Sequence, residues 1–420
     1  MKKLENKYRM FIFGLLGFNL VFWCTALITR GNSLALYFTS DLKDTYMDYF
    51  NMLSNIEGLD PYYANANYPA LAFVIWRLFY RMVPWNESNT VGYFLRETQS
   101  AQLGFILFML FCIIMIWELS KLYSEDKGIY KLLFPVCIIT SGPVLFTIER
   151  GNIIILSFVF SFLFLLLYDS EKKELRYFSY LCLSIAAGIK IYPAVLGILV
   201  LSKKRYKESL LLIGMGIIMF IVPFFAFDGW DSFLTMMKGI FISSSDSLAW
   251  GYGYNFSFSN FIRILFGFWG IYIENVNLVF LGIPFAICIL IYAFNKETWK
   301  KVFALILFML WIPGFSYTYV LVFMILPLVL FLKTEKASFD CIYTIAFICI
   351  MGTWCLPKID YINYLNGNEF KFYLTYGTLI VNLIIVLFSV LLIYDGIKNR
   401  IQIGRKHITD KHELVSKVHE

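Results

Sequence analysis

Met10-Phe-Ile-Phe-Gly-Leu-Leu-Gly-Phe-Asn-Leu-Val-Phe-Trp-Cys-Thr-Ala-Leu-Ile-Thr29 is the first of a series of long apolar runs in this chain. A helix of about 20 such residues crosses a hydrocarbon core of about 30 Å. The run lacks the small-residue cleavage pattern of a signal peptide, so an uncleaved anchor is predicted. Comparable runs recur along the 420 residues, of which 59% are hydrophobic and only 15% charged. This composition predicts an all-α polytopic integral membrane protein with about 11–13 transmembrane helices.

Lysine and arginine residues in short connections predict the orientation, because they mark the cytoplasmic side of a membrane protein. A single threading places every basic cluster on that side: Lys2–Arg9, Lys121–Lys131, Lys172–Arg176, Lys203–Lys207, Lys296–Lys301, Lys333–Lys336 and Lys398–Lys406. Its spans are Met10–Thr29, Ala101–Leu119, Tyr130–Ile148, Ile153–Tyr168, Ser209–Phe227, Val276–Phe294, Val302–Pro313, Tyr319–Leu332, Cys341–Cys355 and Phe372–Tyr394.

The same threading predicts the domain organisation and the location. One transmembrane domain covers residues 1–400, with a long first outer loop at 30–100 and a second at 228–275. Residues 401–420 form a cytoplasmic polar tail, disordered or lying along the membrane. Both termini are expected in the cytoplasm. The Lys-, Ile- and Phe-rich composition favours a bacterial cytoplasmic membrane.

Two segments do not fit a simple crossing. Pro69–Val83 carries Arg77 and Arg81 on one helix face, which favours a helix lying in the outer interface over a span. Tyr177–Leu201 has basic clusters at both ends and Pro193 inside it, which predicts two short helices meeting at a break. Lys190 would then lie near the outer leaflet. A single span over the same residues is the alternative.

Polar residues of three kinds gather on the predicted outer side: carboxylates, cations and aromatic rings. A carboxylate can take the proton of an acceptor hydroxyl, and Arg or Lys can hold a phosphate leaving group. Aromatic rings suit sugars and an isoprenoid chain. Each feature also has a plainer interpretation: Asp44 and Asp48, four residues apart, could be the solvated face of an interfacial helix.

Histidine and cysteine chemistry is not indicated. The three histidines, His407, His412 and His419, all lie in the polar tail, which argues against zinc and His-triad sites. The eight cysteines form no CxxC pair and mostly lie in apolar runs, so a packing role is predicted.

Five short motifs follow one another between residues 41 and 327. They are Asp44 with Tyr49, Phe50, Gly58, Asp60-Pro61-Tyr62 and Tyr68-Pro69-Ala70-Leu71; Gly151-Asn152; Ala186-Ala187-Gly188-Ile189-Lys190-Ile191-Tyr192-Pro193; Asn255-Phe256-Ser257 with Arg263; and Pro313-Gly-Phe-Ser316 through Leu326-Pro327. In this order they resemble glycosyltransferase family 87, the polyprenyl-phosphate-sugar-dependent, alpha-mannosyltransferase-like members of the GT-C superfamily. The second proline of the family's Tyr-Pro-Pro-Leu motif is replaced by Ala70.

The resemblance implies a GT-C-like helical bundle and a set of roles. Asp44 is the expected general base, because its spacing to Gly58 and Pro61-Tyr62 fits the family pattern, with Asp48 and Asp41 as reserves. The remaining expected site residues bind the substrate or the donor phosphate: cations Lys190, Arg150 and Arg263, tyrosines Tyr192, Tyr62 and Tyr68, and amides Asn152 and Asn255.

The implied reaction moves a hexose such as mannose from a polyprenyl-phosphate donor to an acceptor glycan or glycolipid at the extracytoplasmic face. It inverts the anomeric centre by direct displacement. No cofactor, metal or nucleic acid partner is implied. Two other functions are compatible with the sequence: a non-enzymatic flippase or transporter of lipid-linked glycans, and a cell-surface glycan polymerase or ligase. Only one broken helix is evident, whereas transporters often carry a matching second break.

Overall fold

The computed structural model describes residues 4–38, 42–57, 60–64, 66–83, 92–124, 128–246, 252–267, 269, 271, 279–335, 339–365 and 368–418. Helices dominate this part of the chain. They are α1 (Leu4–Ile28), α2 (Leu34–Tyr37), α3 (Met47–Glu57), α4 (Ala70–Tyr80), α5 (Gly92–Glu97), α6 (Gln99–Tyr123), α7 (Tyr130–Ile139), α8 (Gly142–Arg150), α9 (Ile154–Leu167), α10 (Lys173–Ile189), α11 (Ile198–Ser202), α12 (Tyr206–Ile221), α13 (Trp230–Asp246), α14 (Phe258–Gly267), α15 (Gly282–Phe294), α16 (Thr298–Trp311), α17 (Ile325–Leu332), α18 (Asp340–Met351) and α19 (Tyr376–Val418).

Four helices in the described residues are long and apolar enough to cross a membrane: Asn6–Ile28, Gln99–Tyr123, Tyr206–Ala226 and Tyr376–Gln402. A fifth span is possible if α7 and α8, which meet at 48°, cross together. Shorter apolar helices of 10–17 residues complete the bundle. The predicted class, a polytopic helical membrane protein, is confirmed. The count of 11–13 crossings stays a prediction.

Two short helices form the centre of the bundle because they are apolar on all sides. Helix α9 buries most of its residues, and its polar Ser157 donates to the backbone oxygen of Ala186 at 2.9 Å. Helix α16 is buried along nearly its whole length. A helix that is apolar all round is typical of such a core position.

The predicted break at Lys190 is confirmed, whereas the interfacial position of Pro69–Val83 stays a prediction. Pro69–Val83 forms only the 11-residue helix α4, too short to cross alone, and Arg77 donates to the backbone oxygen of Ala226 at 2.8 Å. Helix α10 stops at Ile189, and Lys190 is extended at φ −141° and ψ 125°. A 3₁₀ turn at Tyr192–Gly197 then leads into α11.

Three boundaries differ from expectation. The second outer loop is largely helical, since it contains α13 and α14. Residues 401–418 continue α19 as one helix, where a separate tail was expected. Phe372 lies in a strand and not at a helix start, because β1 (Lys358–Leu365) and β2 (Asn368–Thr375) pair as an antiparallel hairpin between α18 and α19. This hairpin is the exception to an otherwise helical fold in the described residues.

Three of the basic clusters form ion pairs with acidic residues that the threading predicts on the same, cytoplasmic side. Lys7 lies 3.6 Å from Asp340, Arg176 pairs with Glu208 at 2.8 Å, and Lys300 pairs with Asp395 at 2.6 Å. Helices α9 and α10 connect this end of the bundle with the opposite end and run in opposite directions. Helix α9 begins four residues after Arg150, and α10 ends directly before Lys190.

Candidate active site

Arg150 is the centre of a buried ion-pair cluster. It is the last residue of α8, and its side chain is 9% exposed. Its Nη1 donates to Asp44 Oδ2 at 2.5 Å, and its Nη2 donates to Asp48 Oδ1 at 2.6 Å. One guanidinium therefore bridges the two carboxylates that the sequence singled out, although about a hundred residues separate them from Arg150. Such charge-assisted bonds are the strong ones in proteins.

The turn after α8 places the side chains of Arg150 and Asn152 in this cluster. Gly151 ends the helix in the left-handed conformation at φ 68°, where glycine has no steric penalty. The buried Asn152 follows, and its Oδ1 accepts from the backbone N–H of Ile154 at 2.9 Å in a local turn that leads into α9. Its Nδ2 donates to Asp48 Oδ2 at 2.7 Å and to the Tyr68 hydroxyl at 2.9 Å.

The two carboxylates have different surroundings. Asp48 is in the first turn of α3, its side chain is 19% exposed, and each of its oxygens accepts a hydrogen bond. Asp44 ends a short 3₁₀ turn, its side chain is 40% exposed, and its carboxylate accepts from Arg150. Asp44 is thus the more accessible of the pair.

Lys190 adds a second cation beside the cluster. Its Nζ lies 3.5 Å from the centre of the Tyr68 ring and 5.8 Å from that of Tyr319, a cation–π geometry. Its ammonium group makes no hydrogen bond or ion pair with another described residue. Lys190 lies in the extended link outside the spanning helices, and its burial lowers its pKa to about 7, with the charge of Asp48 opposing the shift.

Three tyrosines shape the same region. The Tyr62 hydroxyl donates to the backbone oxygen of Tyr68 at 2.9 Å, and its ring is buried against Phe224. Tyr68 connects Lys190 to Asn152 through its ring and hydroxyl. The buried hydroxyl of Tyr192 has no hydrogen-bond partner among the described residues, which is unusual for a buried polar atom.

Asn255 and Arg263 are not joined to this cluster. Asn255 is 2% exposed, and its Oδ1 accepts from the backbone N–H groups of Ser257 and Ser316, both at 2.9 Å. Its side chain therefore ties two loops together. Arg263 lies on α14, where its buried Nε is unpaired, and no contact in the described part of the chain links it to Arg150 or Lys190.

An aromatic wall beside Arg150 was not among the predicted site residues. Phe146 packs against Tyr254 and Tyr317 with ring centres 5.5 Å and 5.6 Å apart, and Tyr317 packs against Tyr319 at 5.4 Å. The paired tyrosines in Tyr252-Gly-Tyr254 and Tyr317-Thr-Tyr319 were the available signal. Two further predicted residues, Asp41 and Gly58, lie outside the described residues.

The fold and this cluster define a helical membrane protein that brings carboxylates, cations and aromatic rings together at one end of its bundle. Comparison with known families gives the class: the sequence model of glycosyltransferase family 87 matches residues 95–334, more than half of the chain. The chain belongs to glycosyltransferase family 87 and is a membrane glycosyltransferase. The match includes Arg150, Asn152 and Lys190, whereas Asp44 and Asp48 precede it. Comparison with curated proteins and with solved structures found no match.

Proposed function

We propose that the protein transfers a hexose, such as mannose, from a polyprenyl-phosphate donor to a hydroxyl of an acceptor glycan or glycolipid. The reaction takes place at the extracytoplasmic face with inversion. The observation that carries this proposal is the bridging of Asp44 and Asp48 by Arg150 with Lys190 close by. A displacement at an anomeric carbon needs these two kinds of group, a base for the acceptor and cations for the phosphate.

The base is Asp44, because it is the more exposed carboxylate. In the reaction the acceptor hydroxyl oxygen forms a bond to the anomeric carbon, and its proton passes to a carboxylate oxygen of Asp44. The bond between the anomeric carbon and the phosphate oxygen breaks at the same time. Its electron pair leaves with polyprenyl phosphate, so attack from the opposite side inverts the anomeric centre.

The phosphate is held by Lys190 and Arg150. Lys190 has an ammonium group with no hydrogen-bond acceptor among the described residues, so an incoming phosphate oxygen supplies one. Arg150 offers a planar guanidinium that matches phosphate geometry. Positive charge at both sites stabilises the negative charge that develops on the leaving phosphate. The rings of Tyr68 and Tyr192 provide apolar surface for the first part of the isoprenoid chain.

The extracytoplasmic location is supported by the charge distribution along the helices. Basic clusters at Lys172–Arg176 and Lys203–Lys207 meet at one end of α9 and α10, where Arg176 pairs with Glu208 and Lys203 with Asp169. The candidate site lies at the other ends of these two helices. The positive-inside rule then favours the outer face for the site.

The first prediction tests this function with purified protein in detergent or liposomes and a radiolabelled polyprenyl-phosphate hexose. We expect transfer of the label to a glycan or glycolipid fraction, and we expect Asp44→Asn to lower kcat by about 10²- to 10⁴-fold. The control is Asp228→Asn, an exposed carboxylate that accepts from Tyr63 and lies outside the cluster. Unchanged activity in both Asp44→Asn and Asp48→Asn would reject the base assignment. Movement of intact donor across liposomes without transfer would instead indicate a carrier.

A further inference from the structure

The two carboxylates that Arg150 binds differ in burial and in their number of hydrogen-bond partners. Asp48 is mostly buried, and its two oxygens are bound separately by Arg150 and Asn152. Asp44 is 40% exposed, and Arg150 is the side chain that binds its carboxylate. The proposed mechanism needs Arg150 for the donor phosphate and Asp44 for the acceptor proton. Nη1 donates to Asp44 Oδ2 at 2.5 Å and to the Asp44 backbone oxygen at 3.2 Å, so both of its hydrogens are in use and it cannot bind a phosphate oxygen until Asp44 leaves.

We propose that Arg150 exchanges partners during the reaction cycle: the donor phosphate displaces Asp44 from Nη1 while Asp48 keeps Nη2. The donor must then bind before Asp44 can act as a base. This inference rests on the proposed function. It assigns Asp48 as a positioning residue that keeps the guanidinium aimed at the site.

Asp44 is the carboxylate that leaves, because breaking its bond to Arg150 costs less free energy than breaking that of Asp48. Water replaces Arg150 readily at a side chain that is 40% exposed, and ion pairs that are open to solvent are worth little. Releasing Asp48 would instead leave a mostly buried carboxylate without its cation, which is costly. The phosphate meanwhile gains two cations, Nη1 of Arg150 and the ammonium of Lys190.

The exchange couples donor binding to the base. While Arg150 holds Asp44, the carboxylate is fixed towards the cation through Oδ2, which leaves Oδ1 as its one free oxygen within the described part of the chain. Once the phosphate occupies Nη1, both carboxylate oxygens are open to the acceptor hydroxyl. Such coupling is reciprocal, so any change that removes Asp44 from Nη1 must strengthen donor binding.

The second prediction follows from this reciprocity and is measured without turnover. Binding of farnesyl phosphate to the detergent-purified full chain is compared in the wild type, Asp44→Asn, Asp48→Asn and Asp228→Asn. We expect Asp44→Asn to bind about fivefold more tightly or better, although its kcat is lowered. Asp48→Asn should bind no more tightly than the wild type, because Arg150 loses its anchor. Asp228→Asn should match the wild type.

A second comparison separates exchange from simple loss of negative charge. In an Arg150→Lys background the planar donor pair is missing, so adding Asp44→Asn should no longer tighten binding. Retained thermal unfolding midpoints show that each variant is folded. Equal tightening by Asp44→Asn and Asp48→Asn would overturn the exchange, since charge alone would explain it. No tightening in Asp44→Asn would overturn it as well. A wild type that binds no farnesyl phosphate would overturn the proposed function itself.

Discussion

At the scale of single residues, Lys190 combines burial with a charge that the reaction needs. Burial lowers its pKa from 10.5 to about 7, and Asp48 limits the shift. The lysine is therefore charged below about pH 7 and becomes neutral above it in the free protein. A bound phosphate favours the charged form, so donor binding near neutral pH takes up a proton.

The third prediction is that donor affinity falls as pH rises above 7. We expect the KM for the donor to increase by up to about tenfold per pH unit between pH 7 and pH 9. Lys190→Arg should flatten this dependence, because a guanidinium stays charged in this range. Lys190→Met, which has no charge, should bind the donor weakly at every pH. An unchanged slope in Lys190→Arg would show that another group is titrating.

At the scale of elements, the turn between α8 and α9 positions the site. Gly151 has a left-handed backbone, and a Cβ atom added there would lie 2.9 Å from the Tyr46 backbone oxygen and 3.1 Å from Tyr49 Cβ. An alanine at this position thus meets both backbone strain and a close contact with the segment that carries Asp48. The strain alone costs about 1–2 kcal/mol.

The fourth prediction compares two glycines of the same conformation. Gly151→Ala should lower kcat by at least about tenfold, because a shift of the turn moves Arg150 and Asn152 together. Gly128→Ala is the matched control: its φ is +69°, but a Cβ there meets nothing within 4 Å. It should cost similar backbone strain with little effect on kcat. Equal losses in the two variants would mean that strain, and not the position of Arg150, limits the activity.

Local chemistry predicted some elements and could not predict others. The break at Lys190 followed from Pro193, which lacks an N–H and restricts its neighbour, and it is present. Asn255 was expected to bind substrate from the family resemblance, and that role stays a prediction; in the structure its side chain bonds the N–H two residues later, which makes an ordinary turn. The hairpin at residues 358–375 had a local signal that the threading did not use: Asn366-Gly367 lies between two runs in which apolar and polar residues alternate, a pattern typical of a β-hairpin.

The meeting of Asp44, Asp48 and Arg150 is a property of the fold. The sequence predicted that all three share one compartment, and it ranked Asp44 above Asp48 by spacing. It had no means of showing that one guanidinium binds both, because the bond joins residues 106 positions apart. Distant contacts of this kind arise from packing and not from any local pattern. The structure adds the difference in accessibility that separates the two carboxylates.

At the scale of the whole molecule, polar networks lie at both ends of an apolar bundle. At the candidate-site end, the first and second outer segments are joined by hydrogen bonds: Ser232 donates to Asp60, and Tyr63 donates to Asp228 at 3.2 Å. At the other end, Arg205 pairs with Asp169 at 3.0 Å, beside the start of α10. The threading predicted from the basic clusters places these two networks in different compartments.

The fifth prediction assigns those compartments. Cysteines introduced at the exposed positions Asp228 and Glu171 report the two ends. A membrane-impermeant maleimide added to intact cells should label Asp228→Cys, whereas Glu171→Cys should react only after permeabilisation. The positive-inside rule is the reason, since Glu171 adjoins Lys172 and Lys173 in a short connection.

The unmodified chain sets the background for this experiment, because it contains eight cysteines of its own, including the exposed Cys24 and Cys341. Cys24 lies within the apolar helix α1, where a water-soluble reagent has poor access, whereas Cys341 is the second residue of α18 and its labelling is measured with the unmodified chain. Transfer activity in each variant shows that the fold is kept. Labelling in the reverse order would move the candidate site to the cytoplasmic face. Arg150 and Lys190 would then face a compartment that contains soluble nucleotide sugars. The topology would no longer favour a lipid-phosphate donor over a nucleotide sugar.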